Sequence, residues 1–253
     1  MFPEERRALL VAKARREGRL NVAEIATELA VTQETVRRDL DELEDKGLVK
    51  RVHGGAIPVE GSLFEIPLWN RRANFLAEKQ AIADAVVLRL AGVGAVFIDE
   101  GSTAQVIAET WNPSEPVTVV TAALPTAMSL ASKPNTSVFF IGGRVRTNTL
   151  AVSDPTGRDQ LADLVVDVAI IGANGVSIER GCTCPDAAVA AMKSSAIRAA
   201  RQIWLTVDSS KLNVNSFIRF ATLGQFDCLF TDHDADPAFL RGAEALGVEV
   251  VLP

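Results

Sequence analysis

The spacing of apolar positions changes once along the chain. Over the first 55 or so residues it is helical. Leu9, Leu10 and Ala14 form an apolar stripe that predicts a helix over Pro3–Glu17, stopped by Gly18. Ile25 and Leu29, one turn apart, predict a second helix. Asn21 caps it, with Glu24 three residues on in a capping-box arrangement. After a short turn at Ala30 and Val31, Thr32 caps a third helix that runs to about Lys46 and ends at Gly47. Val36, Leu40 and Leu43 form its inward face. Residues 48–52 and 54–56 read as a short hairpin. Residues 58–73 hold Pro58, Gly61 and Pro67, show no clear period, and read as a linker.

From Asn74 onward the pattern differs. A helical stretch over 74–90 gives way to short apolar runs alternating with helical segments. Strands are expected at 95–98, 117–121, 137–141, 165–171, 202–207, 228–231 and 248–252. Helices are expected at 103–109, 125–131, 158–164, 186–200 and 237–246. This alternation predicts βαβ units and a largely parallel, doubly wound α/β sheet with helices on both faces. The domain plan is therefore 1–57, a linker at 58–73, and 74–253.

Composition refines this plan. With 48% hydrophobic and 23% charged residues, the 253-residue chain can bury a sizeable core. Its three cysteines, Cys182, Cys184 and Cys228, are odd in number and lack a disulfide-framework spacing, which fits a reducing compartment. The opening MFPEERRALL is charged where a secretion signal is apolar, and no run approaches the roughly 18 apolar residues of a membrane helix. The expectation is a soluble, cytoplasmic protein with no membrane partner. The net charge of −6 is unevenly placed. Residues 1–58 hold 11 Lys+Arg and 11 Asp+Glu, whereas the remainder holds 15 and 21. The acidic balance thus belongs to the C-terminal part, and the N-terminal part needs only one positive face to meet an anionic partner.

Two capped helices joined by a tight turn make a helix-turn-helix. The outward face of the third helix carries Gln33, Glu34, Thr35, Arg37 and Arg38: amides and guanidiniums suited to base edges, hydroxyls and cations suited to phosphates. Thr32, Gln33 and Thr35 lie at the helix end that normally points at bases. Lys50, Arg51 and His53 lie on the hairpin wing. Asp39, Asp41, Glu42, Glu44 and Asp45 read as a solvated acidic far end. On spacing alone, a helical interaction module with a merely solvated charged face remains open. The run VAEIATELAVTQETVRRDLDELEDKGLVKRVHGGA resembles the N-terminal signature of the DeoR/GlpR family of bacterial regulators, including the Arg37-Arg38 pair and the wing residues 51–56. The resemblance implies a winged helix-turn-helix with Thr35, Arg37 and Arg38 at the surface of double-stranded operator DNA, and a protein that usually represses.

In the second part, the strand at 95–98 runs into Asp99-Glu100-Gly101-Ser102-Thr103 and then a helix. Its backbone N–H groups, hydroxyls and helix N-terminus suit a phosphate. Three further polar clusters follow strands: Gly142-Gly143-Arg144, Gly172-Ala173-Asn174-Gly175 and Asp208-Ser209-Ser210-Lys211. Ligands of open α/β sheets bind beyond such strand ends. Lys211 would supply a cation; Asp99 and Asn174 would hydrogen-bond sugar hydroxyls. The stretches RRANFLAEKQAIADAV, FIDEGSTA, FFIGGRVR, IIGANGV, RGCTCPD and VDSSKL resemble the same family's C-terminal sensor, which is similar in fold to ribose-5-phosphate isomerase. The resemblance implies a phosphorylated-sugar effector in a pocket lined by Asp99, Gly101, Ser102, Thr103, Gly142, Gly143, Asn174 and Lys211. Two departures remove polar groups from that pocket's rim. Ala122 stands where many members carry Asn, and Ala188 and Val189 stand where a Glu is common.

Other chemistry finds little support. Cys182-x-Cys184 lacks a second ligand pair at metal spacing, and the acids Asp232, Asp234 and Asp236 lack the Gly and distal Glu of a calcium loop, so no metal or cofactor is expected. The segment RGCTCPDAAVAAMK offers no carboxylate base for sugar isomerisation, so no catalytic residue is assigned. The expected protein is a repressor of a sugar or carbohydrate catabolism operon, released from its operator by a phosphosugar. It works as a homo-oligomer, dimer or tetramer, because two half-sites need two copies. The competing readings are an isomerase-like enzyme and an effector-independent regulator or activator.

Overall fold

The computed structural model describes residues 3–17, 19–45, 48–58 and 68–253. The expected stops Gly18 and Gly47, Lys46, and positions 59–67 of the expected linker lie outside the described residues. The chain divides into two compact units, Met1–Phe64 and Glu65–Pro253.

The first unit contains helices α1 (Pro3–Glu17), α2 (Val22–Glu28) and α3 (Gln33–Asp45), with strands β1 (Leu20–Asn21), β2 (Val49–Val52) and β3 (Gly55–Pro58). The strands form an antiparallel sheet in the order β1-β3-β2, so the expected hairpin gains a third strand from Leu20 and Asn21. Leu10, Leu20, Ile25, Val36, Leu40 and Ala56 form the core. Leu9 departs from the expected stripe and is 40% exposed. The buried face of α1 is Arg6, Leu10, Val11 and Ala14, a helical spacing that leaves Leu9 on the flank.

Asp39 corrects a second expectation. It does not belong to a solvated acidic end: it is 3% exposed and accepts two hydrogen bonds from the buried Arg6 guanidinium. A buried carboxylate requires such a partner. Glu42 pairs with Arg7, and Asp41 with Arg51, so most of the acidic set pins α1 and the wing to α3.

The second unit holds a seven-stranded, all-parallel sheet in the order β15-β14-β12-β9-β4-β5-β6. The strands are β4 (Ala95–Ile98), β5 (Val117–Thr121), β6 (Thr136–Phe140), β9 (Val166–Ile171), β12 (Ala200–Thr206), β14 (Cys228–Phe230) and β15 (Glu249–Val251). Alternate residues serve opposite faces. Val96, Ile98, Val168 and Ile170 pack under α5 (Leu76–Arg89), α6 (Ser102–Thr110) and α7 (Leu124–Ala131). Phe97, Ala169 and Ile171 pack under α8 (Pro155–Ala162), α9 (Ala187–Arg198) and α10 (Pro237–Ala245). The chain builds β4-β5-β6 outward in one direction and β9-β12-β14-β15 in the other. The topological switch therefore falls between β4 and β9, where a ligand crevice is expected.

Three features are additions to the expected plan. Leu68–Ala73, expected as linker, is a helix, α4. Leu68 is 5% exposed and its N–H donates to the Asn148 carbonyl at 2.9 Å, anchoring α4 to the α/β unit. A two-stranded hairpin, β7 (Val145–Arg146) and β8 (Ala151–Val152), follows the β6 loop. Strands β10 (Gly175–Ser177), β11 (Gly181–Cys184) and β13 (Ile218–Ala221) form a separate antiparallel sheet. Helix α8 also begins earlier than expected, at Pro155. Asp154 caps it by accepting the Gly157 N–H at 3.0 Å, and Pro occupies a first-turn position.

Candidate functional sites

Helix α3 presents the first candidate face. The Thr32 hydroxyl accepts the Thr35 N–H at 3.1 Å and meets the Thr35 hydroxyl at 2.8 Å, the capping role its spacing predicts. Gln33, Arg37 and Arg38 are exposed; Thr35 is half-buried. Among the described residues the Arg37 guanidinium makes only long contacts within its own helix, 3.5 Å to Glu34 and 3.4 Å to Gln33. Both arginines keep their charge in water, free of a core commitment. On the wing, Lys50 and His53 are exposed. Arg51 differs: it donates to the Arg37 carbonyl at 3.0 Å and to Asp41 at 2.7 Å, so it braces β2 against α3 as well as adding charge.

The second candidate site lies at the sheet's switch point. Asp99, directly after β4, is 3% exposed and accepts the Gly172 N–H at 3.0 Å, a bond that ties the end of β4 to the end of β9. The same carboxylate forms an ion pair with Lys193 of α9, which also donates to the Gly172 carbonyl at 3.1 Å. Burial opposes the Lys193 charge, but Asp99 and Glu100 outweigh it, and the ammonium is held above its ordinary pKa. Asp99 is thus engaged by the protein itself, whereas the sequence assigns it to sugar hydroxyls. Lys193 is a site residue that the loop motifs miss, and Glu100 lies within a motif that assigns it no role. Lys193 lies mid-helix, where only its spacing from the buried Val189 and Ala196 betrays an inward side chain.

Asp99, Glu100 and Lys193 line a small cleft with Phe97, Ala122, Val152, Val189 and Met192. Its free volume, about 10 Å³, is room for a single water. Both departures from the family pattern are visible in it. Ala122 and Val189 each contribute apolar wall, while Ala188 is exposed outside.

The remaining expected residues do not line this cleft. Gly101 opens α6 at φ +127°, a conformation glycine tolerates and other residues rarely adopt, and Ser102 begins the helix 7% exposed, with Thr103 half-buried beside it. Gly142 exchanges two hydrogen bonds with the Gln160 side chain, at 3.2 and 3.0 Å. Gly143 sits at φ +149°, where a Cβ would lie 2.7 Å from Asp154. The exposed Arg144 donates its N–H to Asp154 at 2.7 Å, which helps hold that carboxyl below the usual range. Asn174, half-buried, is committed through its N–H to the Thr183 carbonyl at 3.0 Å, at the edge of the small antiparallel sheet. Lys211 lies beyond β12 in a single 3-10 turn. Of the expected set only Asp99 lines the cleft.

Among the described residues no group of three His, Cys, Asp or Glu could hold a metal ion, and no helix is long and apolar enough to cross a membrane. Cys182, Cys184 and Cys228 are buried and unbridged, and burial raises their thiol pKa values.

Two family models match the chain: the DeoR-like helix-turn-helix domain over residues 6–61 and the DeoR C-terminal sensor domain over residues 74–233. The transcriptional regulator GlpR of Haloferax volcanii is 34% identical over 99% of this chain and 98% of its own length. The regulator GolR of Listeria innocua is 28% identical over 99% and 98%. The glycerol-3-phosphate regulon repressor of Escherichia coli is 26% identical over 88% of each chain. Ribose 5-phosphate isomerase A from Methanocaldococcus jannaschii aligns over 55% of each chain with 16% identity and a TM-score of 0.38.

Proposed function

We propose, for a chain that belongs to the DeoR family of transcriptional regulators, that it represses a carbohydrate operon and leaves its operator when a phosphorylated sugar binds the α/β unit. Family membership makes it a DNA-binding transcriptional regulator built from a helix-turn-helix and a sensor domain. The finer reading rests on one observation above others. The expected recognition face keeps Gln33, Arg37 and Arg38 exposed, with Arg37 only in a long pair with Glu34, while Asp39 and Asp41 of the same helix are held in ion pairs with Arg6 and Arg51. Thr32, Gln33, Thr35, Arg37 and Arg38 are assigned to the duplex, with Lys50, Arg51 and His53 supporting from the wing. Selection of bound duplexes from a random pool, followed by titration with Arg37→Ala and Arg38→Ala, tests this. Each substitution weakens binding and lowers the salt slope by about one counterion per lost phosphate contact. Binding of the selected duplex by both variants at wild-type strength contradicts it.

Effector action follows from the cleft's size. A sugar phosphate needs far more than 10 Å³, so entry parts the walls. One wall, Ala151 and Val152, belongs to the β7-β8 hairpin, whose Asn148 carbonyl holds the first turn of α4. Displacing the hairpin pulls on α4, the first described element after positions 59–67. An effector that favours the displaced arrangement lowers DNA affinity by linkage. Gly101, Ser102, Thr103, Gly142, Gly143, Arg144, Asn174 and Lys211 form the rim it contacts. Asp99, neutralised by Lys193, acts in positioning. The site binds and does not turn over its ligand. The protein works as a homo-oligomer in the cytoplasm. Met128, 74% exposed on α7, and Phe139, 45% exposed on the edge strand β6, support self-association, which sedimentation tests directly.

A further inference from the structure

The two edges of the seven-stranded sheet are built differently. At one end, β15 carries Glu249, which pairs with Arg89 of α5. At the other end, β6 reads Thr-Ser-Val-Phe-Phe, with no charge, no proline and no glycine. Natural sheets guard an edge with such residues, because its unpaired N–H and C=O groups are a template for another chain. The Val117 N–H donates to the Asn135 carbonyl and the Ile141 N–H to the Thr121 carbonyl, each at 2.9 Å. The odd-numbered residues of β6 therefore face β5. Thr136, Val138 and Phe140 turn their N–H and C=O groups to the open side, where no described strand lies. Both faces beside this edge are equally uncharged. On one, α7 packs on β5 and β6 and is the only one of helices α5 to α10 without an ionisable side chain. Its Leu124, Ala127, Met128 and Ala131 make an apolar stripe at helical spacing, none of it buried. On the other face, Phe139 lies beside the buried Val120 yet is largely exposed, and the neighbouring Thr118 and Ser137 are exposed too. An open groove of about 310 Å³ runs past Thr118 and Ser137. Parallel sheets are ordinarily covered on both faces, so this corner is unfinished in a single copy.

We infer that β6 pairs antiparallel with the β6 of a second copy of this chain, joining two sheets into one across a two-fold axis at Val138. This inference rests on the homo-oligomer reading above and names its surface. A two-fold axis sets a surface against itself, so a charge close to it meets its like. Strand β6 and helix α7 bring no charge there, whereas β15 would bring Glu249. The strand's hydrogen bonding is self-complementary. Centred on Val138, the pairing sets Thr136 opposite Phe140 of the partner subunit, and the outward groups exchange about six backbone hydrogen bonds. Opposed residues share a face, so Phe139 lies over Ser137 of the partner subunit, beside the open groove. On the other face the two α7 stripes flank the axis.

Sedimentation equilibrium of the full chain tests the interface, with circular dichroism as the check that each variant folds. Phe139→Lys and Met128→Glu alter exposed positions, so the subunit keeps its fold. Each sets like charges near the axis and halves the sedimenting mass of the wild-type assembly, or weakens the association about tenfold or more. Cross-linking then reads the register in the assembled protein. Val138→Cys meets itself across the axis at a Cα separation of about 5.5 Å, within disulfide reach, and oxidation by copper phenanthroline links two copies. Phe139→Cys stands diagonal to itself, at about 7–8 Å, and links far less. The native cysteines are buried and leave the wild type unlinked. If the wild type sediments as a multimer and both charged variants match it, the interface is wrong and the homo-oligomer reading stands. If the two cysteine variants link equally, or neither links, the antiparallel pairing at Val138 is wrong. If the wild type is a single copy at every concentration, both fall.

Discussion

On α3 the Arg37 side chain is 49% exposed and leans on a glutamate one turn away. In the α/β unit the Lys193 side chain is 4% exposed and rests on a carboxylate as buried as itself. One cation stays solvated, at little cost to stability and available to a polyanion. The other holds two strand ends together at the sheet's switch point. The same contrast recurs within the first unit, where Arg6 is sunk onto Asp39 while Arg37 and Arg38 stand clear. Exposure, not residue type, separates a charge left available to a polyanion from a charge that builds.

Substitutions sharpen this comparison. Lys193→Met strands Asp99 as an unpaired buried charge and should cost about 3–5 kcal/mol in denaturant unfolding. Replacing Asp99 with Leu in the same chain should recover much of that, and failure to recover would show that the pair does more than neutralise. Because the folded pKa of Lys193 is raised, the pair's stabilisation is fully present below about pH 10 and fades as pH climbs through that higher value. Arg6→Met should cost about 1.5–3 kcal/mol, read from the melting of the whole chain, since it leaves Asp39 without its guanidinium. Thr32→Ala should cost about 1 kcal/mol through the lost cap on α3. Arg37→Ala and Arg38→Ala should stay within about 0.5 kcal/mol of the wild type in stability while weakening DNA binding. A large loss of stability there would erase the distinction between the two kinds of charge.

The fold was legible where its signals are local. Val96, Ile98, Val168 and Ile170 against Phe97, Ala169 and Ile171 give the buried strands their apolar runs, and the caps at Asn21 and Thr32 mark helix starts. Helix α4 was not legible. Pro67 and the broken period before it read as linker, and the anchoring bond from Leu68 comes from Asn148, distant in the chain. Strands β7 and β8 have two residues each, too few to show a period. The exposed face of α3 was readable because exposure follows from helical spacing. The buried network was not, because Lys193 reaches Asp99 from another element, and three-dimensional proximity leaves no trace in loop motifs. Asp39 misled for the same reason: its partner lies 33 residues away.

Anisotropy of a labelled, selected duplex, titrated with the full chain in the presence and absence of a phosphorylated sugar already shown to raise its melting temperature, bears most directly on the whole mechanism. The account predicts that the sugar shifts the binding curve to higher protein concentration, by about fivefold or more at saturating ligand. Superimposable curves, with the sugar demonstrably bound, would contradict it.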